Sequence, residues 1–248
     1  MKQALFSIAA LLFFVGSASS QTADEIIAKY VKAVGGADKM AAMTTLRRTG
    51  KFIGGGGFEA KVVQENKRPN KVREDFIIMG MTGITAYDGS NGWKIQPFGG
   101  KKDPEALGEE EMKGIVEDAD FDGPFIDYKA KGNTVEYMGM EPVEGTDAYK
   151  LKVTLKNGDV FFYYFDTDYY VPIKIDTKRL IRGEEIEYET SIGDYKEVSG
   201  VYMPFYNESN LKGSQDKQKT QYDVIEANVA VSDSLFQEPA VASKPAGH

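Results

Sequence analysis

From Thr44 onward the apolar residues of this chain of 248 recur at every second position, through almost everything that follows. Strand-like runs such as TLRRTGKFI, KVREDFIIM, AYKLKVTLKNG, YVPIKIDTKRL and VYMPFYNESNLKG succeed one another with turn residues between them, about twelve in all. Most connections are of hairpin length, which predicts one antiparallel sheet that is large and strongly curved or nearly closed. Two segments carry helical periodicity instead. Residues 22–43 open on a capping box, Thr22 with Glu25, place Ile26, Ile27, Tyr30, Val31 and Val34 on a first helix that ends at Gly35-Gly36, and continue in a second short helical piece, ADKMAAM, to Met43. Residues 103–121 interrupt the strands once. A dozen strands present more apolar face than two short helices can bury. Either the sheet curls tightly on itself, or it leaves an apolar cavity.

The hairpin TLKNGDVF supplies a register. Asn157-Gly158 favours a two-residue type I′ turn, setting Leu155 opposite Val160, Val153 opposite Phe162 and Leu151 opposite Tyr164. That face is wholly apolar or aromatic and needs a cover. Ile173 and Ile175, then Ile186 and Tyr188, extend it on neighbouring strands. The other face, with Lys150 and Lys152 over aromatic rings, reads as solvent-exposed. Trp93, the single tryptophan, follows the tight turn DGSNG. Its simpler reading is a core or cross-strand aromatic; its functional reading puts Trp93 and Phe98 at the mouth of a hydrophobic cleft, beside Gly99 and Gly100.

The stretch DADFDGPF, residues 118–125, resembles half of a calcium loop. Asp118, Asp120, Asp122 and Gly123 stand at loop positions one, three, five and six, but position twelve is Lys129 where a bidentate glutamate is needed. The favoured reading is a helix end, with Gly123 past the last turn and Pro124 as a stop. Phe121 and Phe125 then point back to the sheet as the edge of a lid. Arg47 and Arg48, on the first strand, read as ordinary surface charge.

The chain opens MKQALFSIAALLFFVGSASSQT, with the order of a cleavable secretory signal: a lysine, a short apolar run and small residues before Gln21. Residues 1–20 are therefore expected to be a signal peptide, 21–236 a single domain, and 237–248, rich in Ala, Pro, Ser and Gly, a disordered tail. A net charge of −8 argues against nucleic acid and against an electrostatic hold on anionic lipid. No other run is apolar for long enough to anchor stably in a membrane. The sole histidine is His248 and there is no cysteine. Ser-His and Cys-His catalysis and His- or Cys-ligated metals are thus excluded. We expect no enzyme, no cofactor and no metal.

Several stretches together resemble the LolA/LolB-like outer-membrane lipoprotein-sorting family: TADEIIAKYVKAVGGADKM before TLRRTGKF, AYDGSNGWKIQPF, YYFDTDYYVPIKI, and DYKEVSGVYMPF with Tyr195, Val198, Gly200, Val201 and Pro204. The closing VSDSLFQEP fits as well. The resemblance spans most of the mature chain, although the helix and loop over residues 99–130 depart from the compact carrier. It implies an incomplete antiparallel β-barrel whose concave apolar face is covered by helices, a non-catalytic fold that holds acyl chains of lipoproteins or lipids in the periplasm. The alternative is an envelope protein-interaction or stress-sensor module with a filled core and no lipid cargo.

Overall fold

A computed structural model describes residues 21–240; the expected signal peptide and the tail from residue 241 lie outside the described residues. Helix α1 (Ala23–Ala33) begins with the capping box, Thr22 and Glu25 each bonding the other's backbone N–H. Helix α2 (Ala37–Ala42) follows directly. Then come β1 (Thr45–Ile53), β2 (Glu59–Lys67), β3 (Lys71–Ile78), β4 (Met81–Tyr87), β5 (Gly92–Ile95) and the two-residue β6 (Glu105–Ala106). Helix α3 (Glu109–Ala119) and an irregular stretch lead to β7 (Thr134–Val143), β8 (Thr146–Thr154), β9 (Val160–Asp166) and β10 (Pro172–Ile181). The long strands β11 (Glu184–Val198), β12 (Val201–Leu211) and β13 (Gln218–Ala227) complete the set.

All thirteen strands form one antiparallel sheet, ordered β6-β5-β4-β3-β2-β1-β13-β12-β11-β10-β9-β8-β7. The first and last strands of that order do not pair, so the sheet is a curved half-barrel rather than a closed one. The protein is mainly β, with helices over the concave face. The strand count is one above the expected twelve. The extra strand is β6, which occupies the start of the segment expected to be helical, so that α3 begins only at Glu109.

The concave face is filled unevenly. Over β8 and β9, α1 presses Ile26 and Ile27 onto Leu151, Val153 and Phe165, with Phe125 wedged between them. Leu151, Val153 and Phe165 have no exposed surface, and edge-to-face contacts of Phe125 with Tyr30, Tyr163 and Phe165 lock the cluster. Over β3 and β4, α3 lays Ile115 and Ala119 on Val72 and Tyr87. Between these two packed regions a third cluster, Met43, Leu46, Val198, Val201, Phe205 and Ile225, closes the floor beneath α2.

The register of the β8–β9 hairpin differs from the expected one. Leu155 N–H donates to the Asp159 carbonyl and Gly158 N–H to the Leu155 carbonyl, both at 2.9 Å. With Gly158 at φ +94°, this is a three-residue loop, a type I turn closed by a left-handed glycine. Val153 therefore faces Phe161 and Leu151 faces Tyr163. A shift of one residue turns every side chain of β9 over. Phe161, Tyr163 and Phe165 point inward, whereas Phe162 and Tyr164 lie on the convex face, with the Lys150 ammonium 5.1 and 5.0 Å from their ring centres. Their assignment to the cavity is corrected accordingly.

The segment after β13 crosses the convex face. Trp93 is 2% exposed there and its Nε1 donates to the Phe236 carbonyl at 2.8 Å. Arg73 donates to the Leu235 carbonyl, and Lys71 pairs with Asp233. Trp93 is thus a buried structural aromatic, away from the cavity mouth. Phe98 is on the other face at the sheet's rim, edge-to-face with Phe76, which in turn packs against Phe52 and Phe58.

The signature DYKEVSGVYMPF has a physical basis. Ser199 and Gly200 both take positive φ, making the tight turn that joins β11 to β12. The end of α1 docks on that turn: Tyr202 N–H donates to the Val34 carbonyl at 2.8 Å. A Cβ on Gly35 would lie 2.2 Å from the Gly200 carbonyl oxygen. The Tyr195 hydroxyl donates to the Pro172 carbonyl at 2.7 Å, tying this motif to the proline of the VPIKI motif across the sheet.

Candidate functional site

Between the packed regions a cavity of about 400 Å³ remains on the concave face. Its apolar wall comes from Val34, Met40, Met43, Leu46, Phe121, Ile192 and Met203. Its polar side comes from Arg48, Gln64, Asp118, Tyr195, Asn207 and Tyr222. A smaller space of about 260 Å³, bordered by Glu117, Leu155, Phe161, Tyr163 and Arg179, adjoins it under the lid. Asp118, Asp120 and Gly123 border both. On the outer side of α3 a groove of about 620 Å³ runs past Met112, Val116, Glu117, Asp120 and Leu155.

Of the sequence-expected residues, Phe121 lines the main cavity and Leu155 the adjoining space and the groove. Leu151, Val153 and Phe125 are on the concave side but are consumed in packing against α1. Ile175 faces Tyr163 across β9–β10, and Ile186 and Tyr188 face Arg179 and Thr177, so all three share the concave face. Ile173 falls at an irregularity between Pro172 and Lys174 and has no direct partner on β9.

The DADFDG turn is a latch made of carboxylates. Arg68 grips both oxygens of Asp122, at 2.5 and 2.6 Å, while donating to the carbonyls of Met40 and Met43. Its guanidinium also lies 4.3 Å from the Phe121 ring centre. Lys131 reaches both oxygens of Asp120 and the Gly123 carbonyl, each at 2.6 Å. Lys129 pairs with Asp24 of α1. Asp120 and Asp122 thus turn to separate protein cations instead of converging on one ion. Helix α3 ends at Ala119, with Asp120 as its cap, and Gly123, at φ +67°, shapes the turn beyond. The Arg68 hydrogen bonds hold the Asp122 carboxyl below its ordinary range.

Further in, the Glu117 carboxylate bonds Arg179. Its other oxygen is buried without a partner among the described residues. Burial pushes Glu117 up to about 7 against the pull of Arg179, with Asp159 and Asp118 adding to the rise.

Arg47 and Arg48 separate as neighbours on a strand must. Arg47 pairs with Glu65, on the same face as Arg73 and Trp93 by register. Arg48 points into the cavity and is not surface charge. Its Nη1 donates to Gln64 at 2.9 Å and to Asn66 at 2.6 Å, and Asn66 donates to the Asp118 carbonyl. Next to Gln64 on the sheet is Glu74, whose carboxyl is pushed up to about 7 by burial and by the charges of Asp118 and Asp75. Burial also raises Asp118, while Arg179 and Arg48 oppose it. Tyr30 rises to about 12 through burial alone, and burial likewise raises Tyr163, Tyr195 and Tyr222.

The half-barrel with helices over its concave face is the LolA-like fold. No family model and no curated relative matches the sequence. Solved structures do match. A DUF1329 family protein from Desulfovibrio piger superposes with a TM-score of 0.63 at 12% identity, over 86% of this chain and 96% of that one. A LolA superfamily protein from Nitrosomonas europaea gives 0.60 at 12%, over 88% and 98%. A domain assigned to outer-membrane lipoprotein sorting from Vibrio parahaemolyticus gives 0.59 at 11%, over 86% and 94%. At such identities the likeness defines the fold.

Proposed function

We propose that this protein is an exported, non-catalytic carrier of the periplasm that holds an acyl chain of a lipid or lipoprotein in the concave cavity, beneath the latch. The observation that carries this reading is the boundary between the lid and the cavity. The turn over residues 118–123 is fastened by ion pairs to Arg68 and Lys131, while Phe121 beneath it faces the methionine-lined wall. A lid held by charge at its rim can open without dismantling a packed core. Methionines at such a wall adapt to flexible chains of varied shape.

At about 400 Å³ the cavity falls near the lower end of the ~300–1,000 Å³ typical of small-molecule sites. One acyl chain with its attachment suits it better than a multi-chain lipid. The lipoprotein-sorting assignment of a structural neighbour is in keeping with such cargo. The test is native mass spectrometry of the protein purified from a Gram-negative periplasm, followed by organic extraction. Bound mass that extracts as lipid or fatty acid supports the carrier. A clean apoprotein mass, with no uptake of added acyl chains, refutes it and favours a protein-interaction module.

A further inference from the structure

Helix α3 turns Ile115 and Ala119 to the sheet and Glu109 and Glu111 to solvent, yet it keeps a valine, Val116, 44% exposed. One turn before Val116 is Met112, on the same side of the helix. Both line the outer groove of about 620 Å³, and Leu155 at the β8–β9 hairpin lines it too. The groove is thus the seam where the two flanks of the unclosed barrel approach each other, α3 and the β2–β3 turn from one flank, the β8–β9 hairpin from the other. This seam adjoins the interior. Glu117, Asp120 and Leu155 border both the groove and the internal space of about 260 Å³. Asp118, Asp120 and Gly123 border both that space and the main cavity. The three spaces therefore stand in series, and Asp120, clamped by Lys131, is at both junctions.

We infer that the groove is the outer half of the ligand site, so that the cargo is an amphiphile with one long alkyl chain, laid end to end through the cavity, the space beside it and the groove. This inference rests on the carrier reading and deepens it. The methionine wall of the cavity takes the end of the chain, and Met112, Val116 and Leu155 take the part nearest the head. An alkyl chain suits this slot better than a polypeptide strand, whose backbone N–H and C=O groups would lose water there without partners. The rim mixes Lys113 and Lys156 with Glu109. It therefore favours no head charge, and the groove reads chain length.

The test is titration calorimetry on the mature protein with octyl, decyl and tetradecyl maltoside, each below its micelle concentration. The neutral head is too bulky to follow the chain inside. Each methylene fully removed from water tightens binding about fourfold, and an open groove delivers part of that, so tetradecyl maltoside should bind about tenfold or more tighter than decyl. Val116→Asp, at an exposed helix position, should weaken tetradecyl maltoside about tenfold and leave octyl within about twofold, because the short chain stays in the cavity. Val116→Leu should keep the full gain with length. No gain beyond decyl, a gain unchanged in Val116→Asp, or equal weakening of octyl and tetradecyl overturns the groove and leaves the carrier. No uptake of any of the three overturns both. Organic extraction of the natively loaded protein separates the sources: a free long-chain lipid or a long-chain lipopeptide supports the groove, whereas a short-chain or multi-chain ligand overturns it.

Discussion

Glu74→Gln should make the protein more stable at alkaline pH, an unusual outcome for a substitution in the interior. In the folded chain the carboxyl is raised from its ordinary 4.5 to about 7, first by burial and then by Asp118 and Asp75. Between those two values the folded state keeps a proton that the unfolded chain has released, so stability falls as pH rises through the window. At about 1.4 kcal/mol per tenfold change in proton affinity, the loss is on the order of 3 kcal/mol by pH 8. Glutamine has nearly the same shape, does not titrate, and breaks no protein hydrogen bond at this position. Urea unfolding of both proteins at pH 4.5 and pH 8 reads the effect, and comparing the pair cancels all other titrations. The advantage of the glutamine variant should grow by about 3 kcal/mol from acid to alkaline pH. If both proteins change in parallel, within about 1 kcal/mol, Glu74 is not a desolvated acid.

Three further outcomes follow from the packing. Arg68→Ala strips Asp122 and two carbonyls of their donor; a loss of about 2–3 kcal/mol is expected, with faster amide exchange confined to residues 118–131. Uniform acceleration across the sheet would show that Arg68 is not a local latch. Gly35→Ala should cost about 2–3 kcal/mol in thermal or urea melts, because the backbone is at φ +122° and the new Cβ would strike the Gly200 carbonyl; a neutral result would deny the docking of α1 on the β11–β12 turn. Trp93→Phe leaves the Phe236 carbonyl unbonded beneath the C-terminal segment, for about 1–3 kcal/mol. Limited proteolysis should then cut first between residues 228 and 240.

The half-barrel was legible because period-2 patterning over a dozen segments, with two short helices, admits few architectures. The position of the cavity was only partly legible, and the reasons are local. In the run VFFYYF, aromatics occupy both phases, so nothing but the turn could choose the inward face of β9. Asn157-Gly158 serves a two-residue loop or a three-residue one equally well, since either gives glycine a positive φ. Of the two readings of Trp93 the core aromatic holds; the cleft reading fails because its cover comes from residues around Phe236, far along the chain, whose short polar-apolar mix carries no periodic signal. Arg48 carries a usable signal. Two adjacent arginines on a strand with one buried face cannot both be at the surface, so one had to enter the interior.

The uneven filling of the half-barrel divides labour within a single sheet. The side under α1 is a close-packed aromatic core, and truncating Leu151 or Phe165 there would threaten folding itself. The side floored by Arg48, Gln64, Asn207 and Tyr222 bears little of that burden, and its residues border open space. Selection, or an engineer, can therefore exchange side chains on the hollow side to change what the molecule recognises while the packed side keeps it folded. Affinity and foldedness become nearly independent variables, a condition under which one scaffold can diversify widely while its outline stays the same.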